Sequence, residues 1–196
     1  MNLFEQVLHK NQNNLENIFE NSLKILHNDL FKLVEKIGLD LEITHGFIDK
    51  VQMLEEELIE PQMLNINLLP FKKNELNSYK TIIDKKSLEI SSSLKIIFPI
   101  LFSNSSSFRK NLQILFSKAT ICESRDEASK KMVIILESLD EISDLYNHKL
   151  KFNSLYICLN EHNIFNFREG IEELKLNLSK IHDLIFELKV NKEIFN

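Results

Sequence analysis

Six histidines, two cysteines and 29 carboxylates are the residues of this chain best suited to hold a metal ion or move a proton. A di-iron helical bundle needs a Glu-x-x-His pair on each of two helices, so that both ligands face inward one turn apart. The chain does not supply two such pairs. Looser acid–histidine pairs at a four-residue step do occur: Glu5 with His9, His45 with Asp49, and Asp144 with His148. Isolated pairs of this kind arise on any charged helical surface, and they read as solvated faces. No metal site and no cofactor is expected.

Covalent and phosphate chemistry find no better footing. Cys122 and Cys158 sit among apolar neighbours, far from a CxxC spacing and without a base beside them. They read as reduced, buried thiols of a cytoplasmic protein. The serines fall in prospective caps and loops. Gly38, Gly46 and Gly170 lie too far apart for the turns of GxGxxG or GxxxxGK[ST], whose backbone amides cradle phosphate. The sequence therefore reads as that of a non-enzyme. A small-ligand sensor or a helical enzyme built from scattered side chains is the weakest alternative.

Charge carries more information than any motif. The net charge of −5 is spread unevenly: residues 1–60 hold five Lys and twelve Asp/Glu, residues 61–120 hold nine Lys/Arg and three Asp/Glu, and residues 121–196 hold ten and fourteen. The basic middle consists of Lys72, Lys73, Lys80, Lys85, Lys86, Lys95, Arg109, Lys110 and Lys118. Of these, all but Lys95 form the candidate interaction surface, directed at an acidic protein partner or, as the alternative, at an anionic membrane or lipid layer. The plainer reading pairs these lysines with the acidic helices of the same bundle, each exposed pair contributing about 0.3–1 kcal/mol and helping to fix which helix lies beside which. Nucleic acid ranks lowest, because arginine is scarce and the chain as a whole is acidic.

The elements that would carry these residues are helical. Three glycines and three prolines in 196 residues are too few for the turns of a β-protein, and 43% hydrophobic residues are enough for a core. The N-terminus lacks the basic start and apolar run of a leader, and the longest apolar stretch, 94–102, is too short to span a bilayer. The expected product is soluble and all-α: an antiparallel bundle of about five to six helices, several of them long.

Apolar residues at three- and four-residue steps predict a first helix over 3–37, capped by Asn2 and stopped at Gly38. On its stripe, Asn11 and Ser22 are candidates for the buried polar positions that set register in a coiled coil. A second helix starts at Asp40, carries Ile43, Phe47, Val51, Leu54 and Leu58, and ends at Pro61. Residues 61–71, bounded by Pro61 and Pro70, read as an extended connector lying against apolar surface. A third helix covers 72–102, its last turns kinked or ended by Pro99. Ser107 caps a short fourth helix, and Ser124 with Glu127 opens a fifth running toward Leu159. Residues 160–166 break the pattern before a last helix from Phe167 to Leu188. Phe98, Phe102, Phe108 and Phe116 gather around the SNSSS loop as core aromatics, or as the lining of a groove or dimer seam.

The whole chain, 1–196, then forms one helical-bundle domain, divisible into a hairpin (1–60), a connector (61–71) and a bundle (72–196). The expected function is a protein–protein interaction module, an adaptor, chaperone or regulatory factor, that binds another protein, with a second copy of itself as a further candidate partner.

Overall fold

A computed structural model describes residues 3–59, 66–120, 126–150 and 161–191. The first helix, α1, is continuous from residue 3 to residue 59, its stretches Leu3–Lys24, Ile25–Phe31 and Lys32–Ile59 joining end to end. At about 1.5 Å per residue it extends roughly 85 Å. The expected stop at Gly38 and restart at Asp40 are not there: Gly38 and Gly46 both have helical, negative φ. A glycine ends a helix only where the chain needs the left-handed conformation, and the core residues continue unbroken past it. Val34, Ile37, Leu41, Thr44 and Ile48 form one buried seam through the site of the expected break.

The stretch Ile25–Phe31 is wound as a π-helix. Its cause is legible in spacing. Ser22, Leu26, Leu30 and Val34 are all buried and follow one another at steps of four, whereas an α-helix needs threes among the fours to keep one face. The wider π turn keeps these side chains aimed at the core.

A 3-10 turn, Ile66–Leu68, leads into α2, Leu69–Phe102, with Pro70 in the first turn where its missing N–H costs nothing. Of the expected extended connector, 66–71 are helical, and Ile66 (83%) and Phe71 (72%) are exposed there rather than laid against apolar surface; residues 61–65 lie outside the described residues. Pro99 does end α2 within one turn, the amide of Ser103 donating to its carbonyl at 2.9 Å. Helix α3, Ser107–Thr120, follows. Its cap is Ser106 rather than Ser107, because the Ser106 hydroxyl accepts the amide of Arg109, three residues on, at 3.2 Å. Helix α4 runs Asp126–Leu145 and continues as a π stretch, Tyr146–Leu150. The proposed Ser124 cap, the fifth helix's approach to Leu159, Asn2, Cys122 and Cys158 lie outside the described residues. Helix α5, Glu161–Val190, begins inside the expected break at 160–166.

The chain is all-α: the described residues form four long helices and the shorter α3, where about five to six helices, several of them long, were expected. Ion pairs give the directions. Lys86 with Asp40 (2.8 Å) and Lys72 with Glu57 run α2 antiparallel to α1. Lys131 with Glu187 (2.7 Å) and Lys149 with Glu173 (2.8 Å) run α5 antiparallel to α4. Lys189 with Glu20 and Arg168 with Glu42 (3.8 Å) run α5 antiparallel to α1. Legs α1, α2 with α3, α4 and α5 therefore form an up-down-up-down four-helix bundle, each packed on the next and α5 returning to α1.

One continuous core, including Leu30, Ile97, Phe108, Ile135 and Leu178, fills the bundle. Beyond the start of α5, α1 has only α2 for company among the described residues. There the burial thins out: Leu54 is the last buried residue of α1, and none is buried between 66 and 82. Among the described residues this end consists of α1 and α2 alone.

Candidate functional site

The basic segment singled out by sequence is divided by the fold. Lys72, Lys80 and Lys86 face α1 and pair with Glu57, Glu55 (2.7 Å) and Asp40 (2.8 Å). Arg109 donates to the Leu101 carbonyl at 3.3 Å, satisfying an end of α2. Lys73, Lys85, Lys95 and Lys110 are exposed, and Lys118 half-buried, with no ion pair among the described residues. They do not gather: Lys73 and Lys95 stand roughly 33 Å apart along α2.

Lys86 is the centre of a charge cluster that reaches the interior through the buried Asp40. Its ammonium bonds Asp40 Oδ1 and Glu89 Oε2, both at 2.8 Å, and Asp40 is 4% exposed. The hydrogen bonds that it donates to Asp40 and then to Glu89 hold the Lys86 ammonium above the ordinary lysine range, and the same ammonium holds the Glu89 carboxyl below the ordinary carboxylate range. Asp40 Oδ2 is buried without a hydrogen-bond partner. The cluster locks α2 to α1. It offers neither a nucleophile beside a base nor a set of converging ligands, and no group of three metal-ligating side chains exists among the described residues.

The aromatics of the Ser loop pack the core. Phe108 is fully buried, Phe98 stacks on Phe102 at 5.8 Å between ring centres, and it lies 3.8 Å from the ring of Tyr146. The register idea fails for Asn11, which is exposed, while Ser22 is buried, its hydroxyl without a partner among the described residues. Of the acid–histidine pairs, His45 meets Asp49 at 3.6 Å on the surface, and Asp144 and His148 line an open groove of about 460 Å³ between α4 and α5.

What sequence reading missed is a second seam on α1, back to back with the core seam. Leu39, Ile43, Gly46, Lys50 and Met53 follow one another at steps of four and three, the spacing that keeps side chains on one helical face. All five are exposed: Leu39 is 61%, Ile43 44% and Met53 63%. Ile43 was expected on the core stripe. It lies instead two residues after Leu41 and one before Thr44, off the core series and exposed.

Each edge of this seam has its own character. On the side toward α5, Glu35, Glu42, Asp49 and Glu56 recur at seven-residue intervals, all exposed. Arg168 of α5 reaches Glu42 only at 3.8 Å. On the side toward α2, Phe47 and Tyr79 meet at 5.3 Å, and the Lys50 ammonium sits 5.1 and 5.4 Å from their ring centres. The Tyr79 hydroxyl donates to Glu75 at 2.5 Å, and this bond to a carboxylate raises the phenol above its ordinary range. The surface is thus an apolar strip about 21 Å long, walled by a row of carboxylates and a lysine-capped aromatic pair. The seven-residue recurrence of acids was the signal in the sequence that would have disclosed it.

No helix among the described residues is long and apolar enough to cross a membrane. No family model matches the chain, and comparison with curated proteins and with solved structures found no match.

Proposed function

We propose that this chain is a non-enzymatic, cytoplasmic interaction module of the adaptor or regulatory kind, and that its docking surface is the outer face of α1 from Leu39 to Met53. One observation carries the reading. A helix whose inner seam is already filled by the core carries a second apolar seam in register on its solvent side. Single exposed apolar residues are ordinary on protein surfaces. Three on one face at coiled-coil spacing form a strip on which a partner helix can lay its own apolar face, the helix-in-groove mode of recognition. Burying a leucine- or methionine-sized side chain contributes about 1.5–3 kcal/mol, so this strip holds enough apolar surface to anchor a partner of moderate affinity.

Site-specific photo-cross-linking tests it. A photoreactive residue in place of Gly46 should give a discrete protein adduct in the cell of origin, and the same residue in place of Ser92, exposed on the outer face of α2, should give none. Equal yields from both positions, or no adduct from either, would count against the reading.

A second reading rests on the outer face of α2, where the exposed Leu88 and Ile96 stand beside the unpaired Lys85 and Lys95. It makes that face a weak contact for an anionic membrane surface. Flotation with anionic vesicles that is lost on reversing Lys73, Lys85, Lys95 and Lys110 to Glu supports it. No flotation of the unaltered protein removes it.

A further inference from the structure

The geometry points to a basic amphipathic helix of a different protein as the occupant of the outer seam of α1, gripped along its apolar face by Leu39, Ile43 and Met53 and along one flank by Glu35, Glu42, Asp49 and Glu56. This rests on the docking surface proposed above and names what docks there.

Charge decides between the two occupants that an apolar seam of this length admits. A second copy brings the same helix. If the two copies pair antiparallel, the carboxylate row of one lies along the carboxylate row of the other, four acids against four. Like charges on flanking positions are the standard means by which helices reject a wrong partner. If they pair parallel, the row meets the other flank of the second copy, where Asp40, Phe47 and Leu54 stand and the one cation, Lys50, is already held over the Phe47 and Tyr79 rings. Antiparallel pairing thus brings no cation to the row, and parallel pairing brings one for four carboxylates. The row is also poorly neutralised from within: among the described residues, Glu35 and Glu56 form no ion pair, Asp49 faces only His45, and Glu42 meets Arg168 at 3.8 Å. A partner with Lys or Arg at seven-residue intervals beside its apolar stripe satisfies both features at once.

Two designed peptides of about 21 residues test the proposal, long enough to cover the strip. Both carry leucine at three- and four-residue steps; one has lysine on its flanks and the other glutamate. Titrated against the full chain, the lysine peptide should bind roughly tenfold or more tightly than the glutamate peptide, four exposed charge pairs each contributing a small factor. Reversing Glu35, Glu42, Asp49 and Glu56 to Lys should invert that preference, and changing them to Gln or Asn should erase it. As a control of equal net charge, reversing the exposed Glu137, Asp140, Glu141 and Asp144 on α4 should leave the preference intact.

The proposal is overturned if neither peptide binds, if both bind alike, or if the α4 control loses the preference as fully as the α1 variant. It is also overturned if sedimentation shows a dimer that Met53→Glu dissociates, since the seam is then occupied by a second copy. Failure here with the Gly46-position adduct still formed leaves the docking surface standing with a partner of other chemistry. Failure of both removes the surface itself.

Discussion

Replacing Gly38 by alanine gives opposite results according to whether the long helix continues or stops there. In the continuous α1, Gly38 and Gly46 have negative φ, and a Cβ at either meets no atom within 4 Å. Each substitution then gains the helix propensity of alanine over glycine, about 1 kcal/mol, with no steric cost. The sites lie roughly 12 Å apart along the axis, far enough for the gains to add, so the double variant gains about 2 kcal/mol. For a chain of this size that corresponds to a melting temperature higher by roughly 4–8 °C.

If Gly38 instead closed a helix in the left-handed conformation, alanine there would lose about 1 kcal/mol, and the melting temperature would fall. Gly170 is the internal control. It is buried on α5, and its Cβ would come within 3.1 Å of Leu150 Cδ2 and 3.3 Å of Lys149 Cβ. The second of these is tied directly to backbone and has little room to yield. Overpacking of about 1–3 kcal/mol there outweighs the propensity gain. Urea and thermal melts followed by far-UV circular dichroism measure all three. A loss of stability in Gly38→Ala, or a gain in Gly170→Ala as large as that in Gly46→Ala, would refute the reasoning.

Further substitutions probe other parts of the bundle. Leu174→Pro, at a fully buried position in the middle of α5, should cost about 3 kcal/mol or more, and a natively folded variant by circular dichroism would mean that α5 is wrongly placed. Ser22→Ala removes a buried hydroxyl without a partner and should stabilise the chain by about 1 kcal/mol; a loss in chemical denaturation would show that the hydroxyl is bonded. Lys86→Met should destabilise the α1–α2 contact in a pH-dependent way. The depressed Glu89 carboxyl stabilises the fold above the ordinary value of 4.5 and loses that effect as pH falls through its lowered value. The raised Lys86 stabilises fully below 10.5 and loses that effect as pH rises through its raised value. The gap between the two proteins in urea melts should therefore be widest between these limits and narrow beyond both; a gap indifferent to pH would contradict the ion-pair account.

The helical class, most helices and the acid–base pairing of α1 with α2 were legible in the sequence, because scarce Gly and Pro, apolar periodicity and charge segregation act locally or between neighbours in the chain. The continuity of α1 was not. A glycine and a following aspartate resemble a stop and a cap, yet here Asp40 turns its carboxylate to Lys86, 46 residues away in sequence, and the core seam runs on through Ile37, Leu41 and Thr44. Tertiary packing overrode a local signal. The outer seam was hidden for a related reason. Two apolar series are interleaved on one helix, and spacing alone does not say which faces the core, so Ile43 was grouped with the wrong one. The lysines divided in a way that spacing does not disclose: Lys72, Lys80 and Lys86 reach carboxylates of α1, while Lys73, two turns before Lys80, and Lys85 stay exposed.

The most direct test of the docking surface is the cross-linking yield at position 46 after the flanking apolar residues are made polar. In a chain carrying Leu39→Gln, Ile43→Gln and Met53→Gln, the adduct should disappear while the melting temperature stays within roughly 5 °C of the parent, as expected of exposed side chains that the core does not use. An undiminished adduct from a folded triple variant would show that the partner, if any, does not grip this face. A collapse of the fold would show that these side chains belong to the core.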